Sequence, residues 1–142
     1  MNSKRWQTIL ENQGINLDID YSEYLQKELS IPAGGIIDAL ERLIENSIEH
    51  AFGNIKSPSI KISLINKDNI VLIKFSDNGV GVDLENPNHI FIPYYSTKPR
   101  NLTVGLGLSS VKSIVVNQLK GDVYISQSET GLTINIELPK AL

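Results

Sequence analysis

Cysteine is missing from all 142 residues. Its absence excludes a disulfide framework and a thiolate-held metal, and makes a reducing cytoplasm the expected setting. An excess of positive charge is missing as well. Lys and Arg number 13 against 16 Asp and Glu, a net charge of −3. No basic block is present to track a phosphate backbone, so no nucleic-acid partner is expected. No apolar run reaches the roughly 20 residues of a membrane-spanning helix, and the N-terminus carries no signal-peptide pattern. If the parent protein is anchored in an inner membrane, the anchor is expected outside this chain. Internal repeats and low-complexity stretches are lacking too. What is present is an ordinary globular composition, 41% hydrophobic and 20% charged, in a length that fits one domain with a real core.

The chain is organised around Phe75-Ser76-Asp77-Asn78-Gly79-Val80-Gly81-Val82. This stretch comes off the apolar, β-branched run Ile70–Phe75, so it reads as the end of a buried strand opening into a turn. Asp77 is a carboxylate at that strand end. Gly79 and Gly81 allow a sharp turn and a close approach by a flat ligand ring. A carboxylate there can accept a hydrogen bond from an exocyclic amine. Asp-Asn-Gly is also common turn chemistry, so the reading depends on agreement from elsewhere in the chain.

Along the chain, Trp6, Ile9 and Leu10 have helix-like spacing that Asn12-Gln13-Gly14 stops; this is the tail of an upstream helix or an N-terminal turn packed on the core. Ile15, Leu17 and Ile19 alternate as a strand, and residues 21–29 form a polar connection with helical character. Ser30-Ile31-Pro32 signals a helix start. Ile37, Leu40, Leu43, Ile44, Ser47, Ile48 and Ala51 then mark one helical face, ended by Gly53, with Arg42, Asn46 and His50 on a ridge beside it. Ile60–Leu64 alternates, and residues 66–69 turn into Ile70–Phe75. Residues 83–89 are loop-like. Pro93 breaks the apolar run 90–95, and 96–104 is polar. Gly105-Leu106-Gly107-Leu108 opens a helix with Leu108, Val111, Val115 and Leu119 inward, which Gly121 ends. Val123 and Ile125 are a strand, and Gly131 turns into the alternating Leu132, Ile134, Ile136 and Leu138, closed by Pro139. Strands adjacent in sequence are joined by hairpins, which predicts a sheet with helices on one face rather than a doubly wound parallel sheet.

Four elements carry candidate chemistry. The Asn46 side-chain oxygen suits a hard cation such as Mg2+, or else bonds a neighbouring loop. Asp77 offers the amine contact. Gly105 and Gly107 sit at a helix start, where free N–H groups favour phosphate, or where the entry needs glycine. Phe91 and Pro93 look like the rim of a lid, and Lys98 on that lid reaches a terminal phosphate or is simply solvated.

Taken together, these stretches resemble the ATP-binding catalytic domain of bacterial two-component sensor histidine kinases, in the superfamily with gyrase B, the heat-shock chaperone ATPases and mismatch-repair ATPases. Leu43-Ile44-Glu45-Asn46-Ser47 resembles the N box, Asp77-Asn78-Gly79-Val80-Gly81 the G1 box, Ile90-Phe91-Ile92-Pro93-Tyr94 with Ser96-Thr97-Lys98 the F box, and Gly105-Leu106-Gly107-Leu108 the G2 box. Gly131-Leu132-Thr133 with Leu138-Pro139 is similar to the closing strand. Each box is degenerate, but all stand in the family's order. The resemblance covers residues 15–142 and leaves 1–14 as the end of an upstream linker or helix.

The resemblance implies an α/β fold, an α+β two-layer sandwich of the Bergerat type. In it a mixed, largely antiparallel sheet carries about three helices on one face. It implies ATP and Mg2+ as ligands. Asn46 would bind the metal, with His50 near the phosphates, and Asp77 would take the adenine amine, with Gly79, Gly81 and Val82 beside the base. Thr133 would support Asp77 through water, Phe91 and Lys98 would belong to the lid, and Gly105, Leu106, Gly107 and Leu108 would meet the phosphates. Asn46 and Lys98 are the residues it places nearest the chemistry. The implied partner is a dimerisation hairpin bearing the acceptor histidine, with a response regulator downstream and the isolated domain a monomer. The 2 histidines present, His50 and His89, lack the acceptor's context, so the acceptor is expected upstream in a longer parent or on another protein. Arg42 stands where hydrolysing relatives keep a glutamate base, which disfavours water activation. The alternatives are a serine kinase of the anti-sigma type and a non-catalytic ATP sensor. A dinucleotide site fits poorly, because Gly79 and Gly81 do not open a helix.

Overall fold

A computed structural model of the chain describes residues 3–20, 33–50, 55–79, 107–126 and 131–139. The elements in order are α1 (Ser3–Asn12), β1 (Asn16–Asp20), α2 (Ala33–His50), β2 (Ser59–Asn66), β3 (Ile70–Asp77), α3 (Gly107–Ser113), a π-helical turn (Ile114–Gln118), β4 (Asp122–Ser126) and β5 (Leu132–Pro139). The strands form one sheet in the order β1-β2-β3-β5-β4. β1 runs parallel to β2, and the other three pairings are antiparallel. The mixed, largely antiparallel sheet implied by the resemblance is the one observed.

Period-two alternation decides which face the helices cover. On β3, Val71, Ile73 and Phe75 are buried while Lys74 is exposed; on β5, Leu132, Ile134, Ile136 and Leu138 are buried. These rows share one core with Leu10 of α1, with Ala39, Leu40, Leu43 and Ile44 of α2, and with Val111 and the π turn's Ile114 and Val115. All the described helical elements therefore lie on one face. The opposite face is mostly polar. There Tyr124 donates to Glu137 (2.8 Å), Asn135 donates to Ser126 (3.0 Å), and the hydroxyls of Ser76 and Thr133 share a bond of 3.1 Å.

α1 has only 10 residues and is too short to hold its shape alone. It is held because Leu10 is fully buried and the Gln7 side-chain amide donates to the Leu17 carbonyl (3.2 Å). Gly14, at φ +74°, makes the reversal into β1.

Two details differ from the sequence reading. Ala39 joins the buried face of α2, whereas Ile37 is only half-buried. The helix leading to Gly121 is not α-helical throughout, because Leu119 donates to the Ile114 carbonyl (3.0 Å) across five residues. Ile114 and Val115 of this wider turn are both buried in the core.

Candidate functional site

The site begins at the end of the central strand. Asp77 continues the inward row of Val71, Ile73 and Phe75, so alternation turns its carboxylate toward the helices. It is 6% exposed. A buried carboxylate is costly unless donors surround it. Three described donors do. The Gly79 and Leu132 backbone N–H groups both bond Oδ1, at 3.0 and 3.2 Å. The Ser47 hydroxyl donates to Oδ2 at 3.0 Å. Burial pushes the Asp77 carboxyl above its ordinary value of 3.8, while the Gly79, Ser47 and Leu132 bonds pull it back down.

The backbone around the carboxylate is fitted closely. Gly131 has φ +72°, and a β-carbon there would run into the Asp77 carbonyl oxygen and the Gly79 nitrogen. That approach brings the start of β5 against the end of β3, where the Leu132 N–H meets the carboxylate. Asn78 acts as a clamp from the other side. Its side-chain oxygen accepts from Ser59 N–H (2.8 Å) and its amide donates to the Ser57 carbonyl (3.0 Å). The Asp-Asn-Gly stretch is thus a turn that holds a buried carboxylate: Asn78 fixes the turn, and Asp77 is presented by it.

α2 supplies the facing wall. Ser47 lies on its apolar face and is 1% exposed, while Asn46, one residue earlier, is half-buried at the rim. Arg42 reaches back one turn, its Nε donating to Asp38 Oδ1 at 2.9 Å. His50 closes the described part of α2, and its side chain lies outside the described residues. So do Gly81, Val82, Phe91, Lys98, Gly105 and Leu106, and the whole 96–104 segment. Gly107 begins α3, and Leu108 packs half-buried against the core.

One expected role is corrected. Thr133 does not support Asp77. Asp77 pairs in register with Leu132, and Ser76 with Thr133. Thr133 therefore points to the opposite face of the sheet, where its hydroxyl bonds Ser76. The support comes instead from the Leu132 backbone and from Ser47. Leu132 has no side-chain signal that sequence could reveal; Ser47 does, because a hydroxyl on an otherwise apolar helix face needs a partner.

Residues 33–142 match the family of histidine kinase-, DNA gyrase B- and HSP90-like ATPases. The chain belongs to that ATPase family. Sensor histidine kinase YvrG of Bacillus subtilis is 33% identical over 105 residues, 71% of this chain and 17% of that protein. Signal transduction histidine-protein kinase AtoS of Escherichia coli is 28% identical over 134 residues, 92% of this chain and 21% of that protein. The chain thus spans about a fifth of the length of these curated relatives. The catalytic domain of histidine kinase ThkA superposes with a TM-score of 0.75 at 24% identity, over 96% of this chain and 90% of that one. The family's domain binds ATP, and the residues of this ATPase-family chain fit that ligand at the base end. An adenine carries an exocyclic amine that can only donate usefully to an acceptor, and an ionised Asp77 can only accept. At the rim, the Asn46 amide oxygen is the kind of ligand a hard cation takes. Among the described residues, no helix is long and apolar enough to cross a membrane.

Proposed function

We propose that this chain is the ATP-binding catalytic domain of a sensor histidine kinase, passing the γ-phosphoryl group of Mg-ATP to a histidine on a dimerisation hairpin outside it. The observation that carries the proposal is the buried Asp77 carboxylate at the end of the central strand, already bonded by three donors and still able to accept from an adenine amine. The kinship with sensor histidine kinases favours histidine over serine or water as acceptor.

Bound Mg2+ would supply neutralisation of charge on the phosphates. Asn46 is the residue of α2 proposed to hold it. Asp77 fixes the base and so sets the reach of the triphosphate. Gly105 to Leu108 and Lys98 are the proposed phosphate contacts, with Phe91 at the lid rim. In the transfer, a P–N bond to the histidine ring forms as the bond from the γ-phosphorus to the bridging oxygen breaks, leaving ADP. The protein's part is mostly positioning. Arg42 is paired with Asp38 and its guanidinium carries donors only, so it supplies no base for water.

The test is radiolabelled ATP with the domain alone and with its acceptor hairpin. The domain alone is expected to bind ATP, hydrolyse it very slowly and remain unlabelled at His50 and His89. With the hairpin present, an acid-labile, base-stable phosphohistidine should form there. Rapid phosphate release without transfer would overturn the kinase reading in favour of a hydrolysing ATPase.

A further inference from the structure

Ser47 is a hydroxyl set among the buried apolar residues Leu43 and Ile44 of α2, and it is itself 1% exposed. A helical serine in such a place usually bonds back to its own helix. Here it crosses to another element and donates to Asp77 Oδ2 at 3.0 Å. The remaining donors are both on the other oxygen: Gly79 and Leu132 N–H bond Oδ1. An ionised carboxylate has about four lone-pair positions, two on each oxygen. Among the described donors, Oδ1 is filled and Oδ2 keeps one position.

We infer that Ser47 is a positioning residue for nucleobase selection: its hydroxyl holds the Asp77 carboxylate so that the remaining acceptor position on Oδ2 is the one offered to the ligand's exocyclic amine. This rests on the adenine-binding reading of the site. Without the hydroxyl, the two backbone bonds anchor Oδ1 alone, and Oδ2 is left to swing about that anchor. Ser47 itself does not touch the ligand in this account; it acts through Asp77. Its place directly after Asn46 gives α2 two successive positions with different tasks, one at the rim and one behind the base contact.

Loss of the hydroxyl should weaken a ligand that has the exocyclic amine and spare one that lacks it. The probes are ATP and purine riboside triphosphate, which differs by that amine alone. Affinities are measured by calorimetry for the wild-type chain, Ser47→Ala and Ser47→Thr. The wild type is expected to prefer ATP by about tenfold or more. Ser47→Ala should lose about five- to tenfold for ATP and less than about twofold for the analogue. Ser47→Thr, which keeps the hydroxyl, should restore the preference.

Equal losses for both ligands in Ser47→Ala would overturn the inference, because a merely structural serine weakens the site without regard to the amine. An unchanged preference would overturn it as well. If the wild type itself does not distinguish the two ligands, the adenine contact at Asp77 fails, a separate result that concerns the underlying reading. Should Ser47→Ala fold poorly, Ser47→Cys keeps the volume with only a weak donor and gives the same comparison.

Discussion

Two hydrogen bonds made by α2 have nearly the same length and opposite standing. Ser47 meets Asp77 at 3.0 Å, and Arg42 meets Asp38 at 2.9 Å. The first lies between residues that are 1% and 6% exposed. The second joins side chains that are 40% and 51% exposed. Water competes for the second at every moment and is nearly excluded from the first, so distance alone does not rank them. The carboxylate end is held by two strands, a helix and a glycine. The Arg42 ridge is held by one turn of its own helix. Function that needs a fixed acceptor belongs at the first, whereas the second can change partner at little cost.

The comparison is broken most severely through the backbone. Gly131→Ala puts a β-carbon against the Asp77 carbonyl oxygen and the Gly79 nitrogen, at a residue whose φ is +72°. Neither obstacle is a flexible side-chain end, so β3 and β5 have to separate at the site. The combined strain and overpacking should cost about 3 kcal/mol, lowering the melting temperature by roughly 10 °C. A thermal melt checks this. A change of a degree or two would mean that the two strand ends are not packed as described, and the buried character of the site would go with it.

A smaller and more selective break is made at the carboxylate itself. Burial raises the folded Asp77 carboxyl above 3.8, despite the bonds from Gly79, Ser47 and Leu132. A group raised on folding contributes stability that is fully present below its unfolded value and is lost as pH rises through the folded one. Asp77 thus becomes less favourable to folding as pH rises through its folded value and the carboxyl takes on its charge. Asp77→Asn does not titrate, and its amide can still accept from the two backbone N–H groups while donating to Ser47. As pH rises through the folded Asp77 value the variant should therefore gain in melting temperature relative to the wild type, and it should lose about one to two decades in ATP affinity. The wild type should gain relative to the variant as pH falls toward 4. A difference in melting temperature that does not depend on pH, or one that moves the other way, would contradict the raised carboxyl.

Much of this was legible beforehand, and the failures have physical reasons. The apolar run 70–75 and the alternation in 132–138 mark two strands, and the alternation also marks the buried face of the second, because a period of two leaves little freedom once one face is covered. The same alternation contained the correction at Thr133. If Leu132, Ile134 and Ile136 face inward, residue 133 faces outward, and a role inferred from resemblance conflicted with the parity of its own strand. Helical spacing puts Ser47 on the buried face of α2 but carries no information on what its hydroxyl bonds there. The Leu132 N–H was invisible, since any residue supplies one. Gly131 read as a turn, but its closeness to Asp77 depends on pairing across 55 positions of chain. The π turn also left no mark, because the residues at 114–118 suit a regular helix equally well.

The smallest expected effect is at the exposed ridge. Arg42→Ala removes the guanidinium that Asp38 accepts from, one turn away on α2. Both side chains remain open to water after the change, so neither loses solvation that folding had taken from it. Pairs of this spacing on an exposed helix contribute about 0.3–0.5 kcal/mol, and alanine has the higher helix propensity by a few tenths, which offsets part of the loss. Stability should move by no more than about 0.5 kcal/mol, and the little that is lost should shrink further as salt is raised. Denaturant unfolding at low and high salt measures both. A loss of 2 kcal/mol or more, or one that salt leaves untouched, would mean that Arg42 is engaged in a shielded contact like that of Ser47. The contrast between the two hydrogen bonds of α2 would then have to be abandoned.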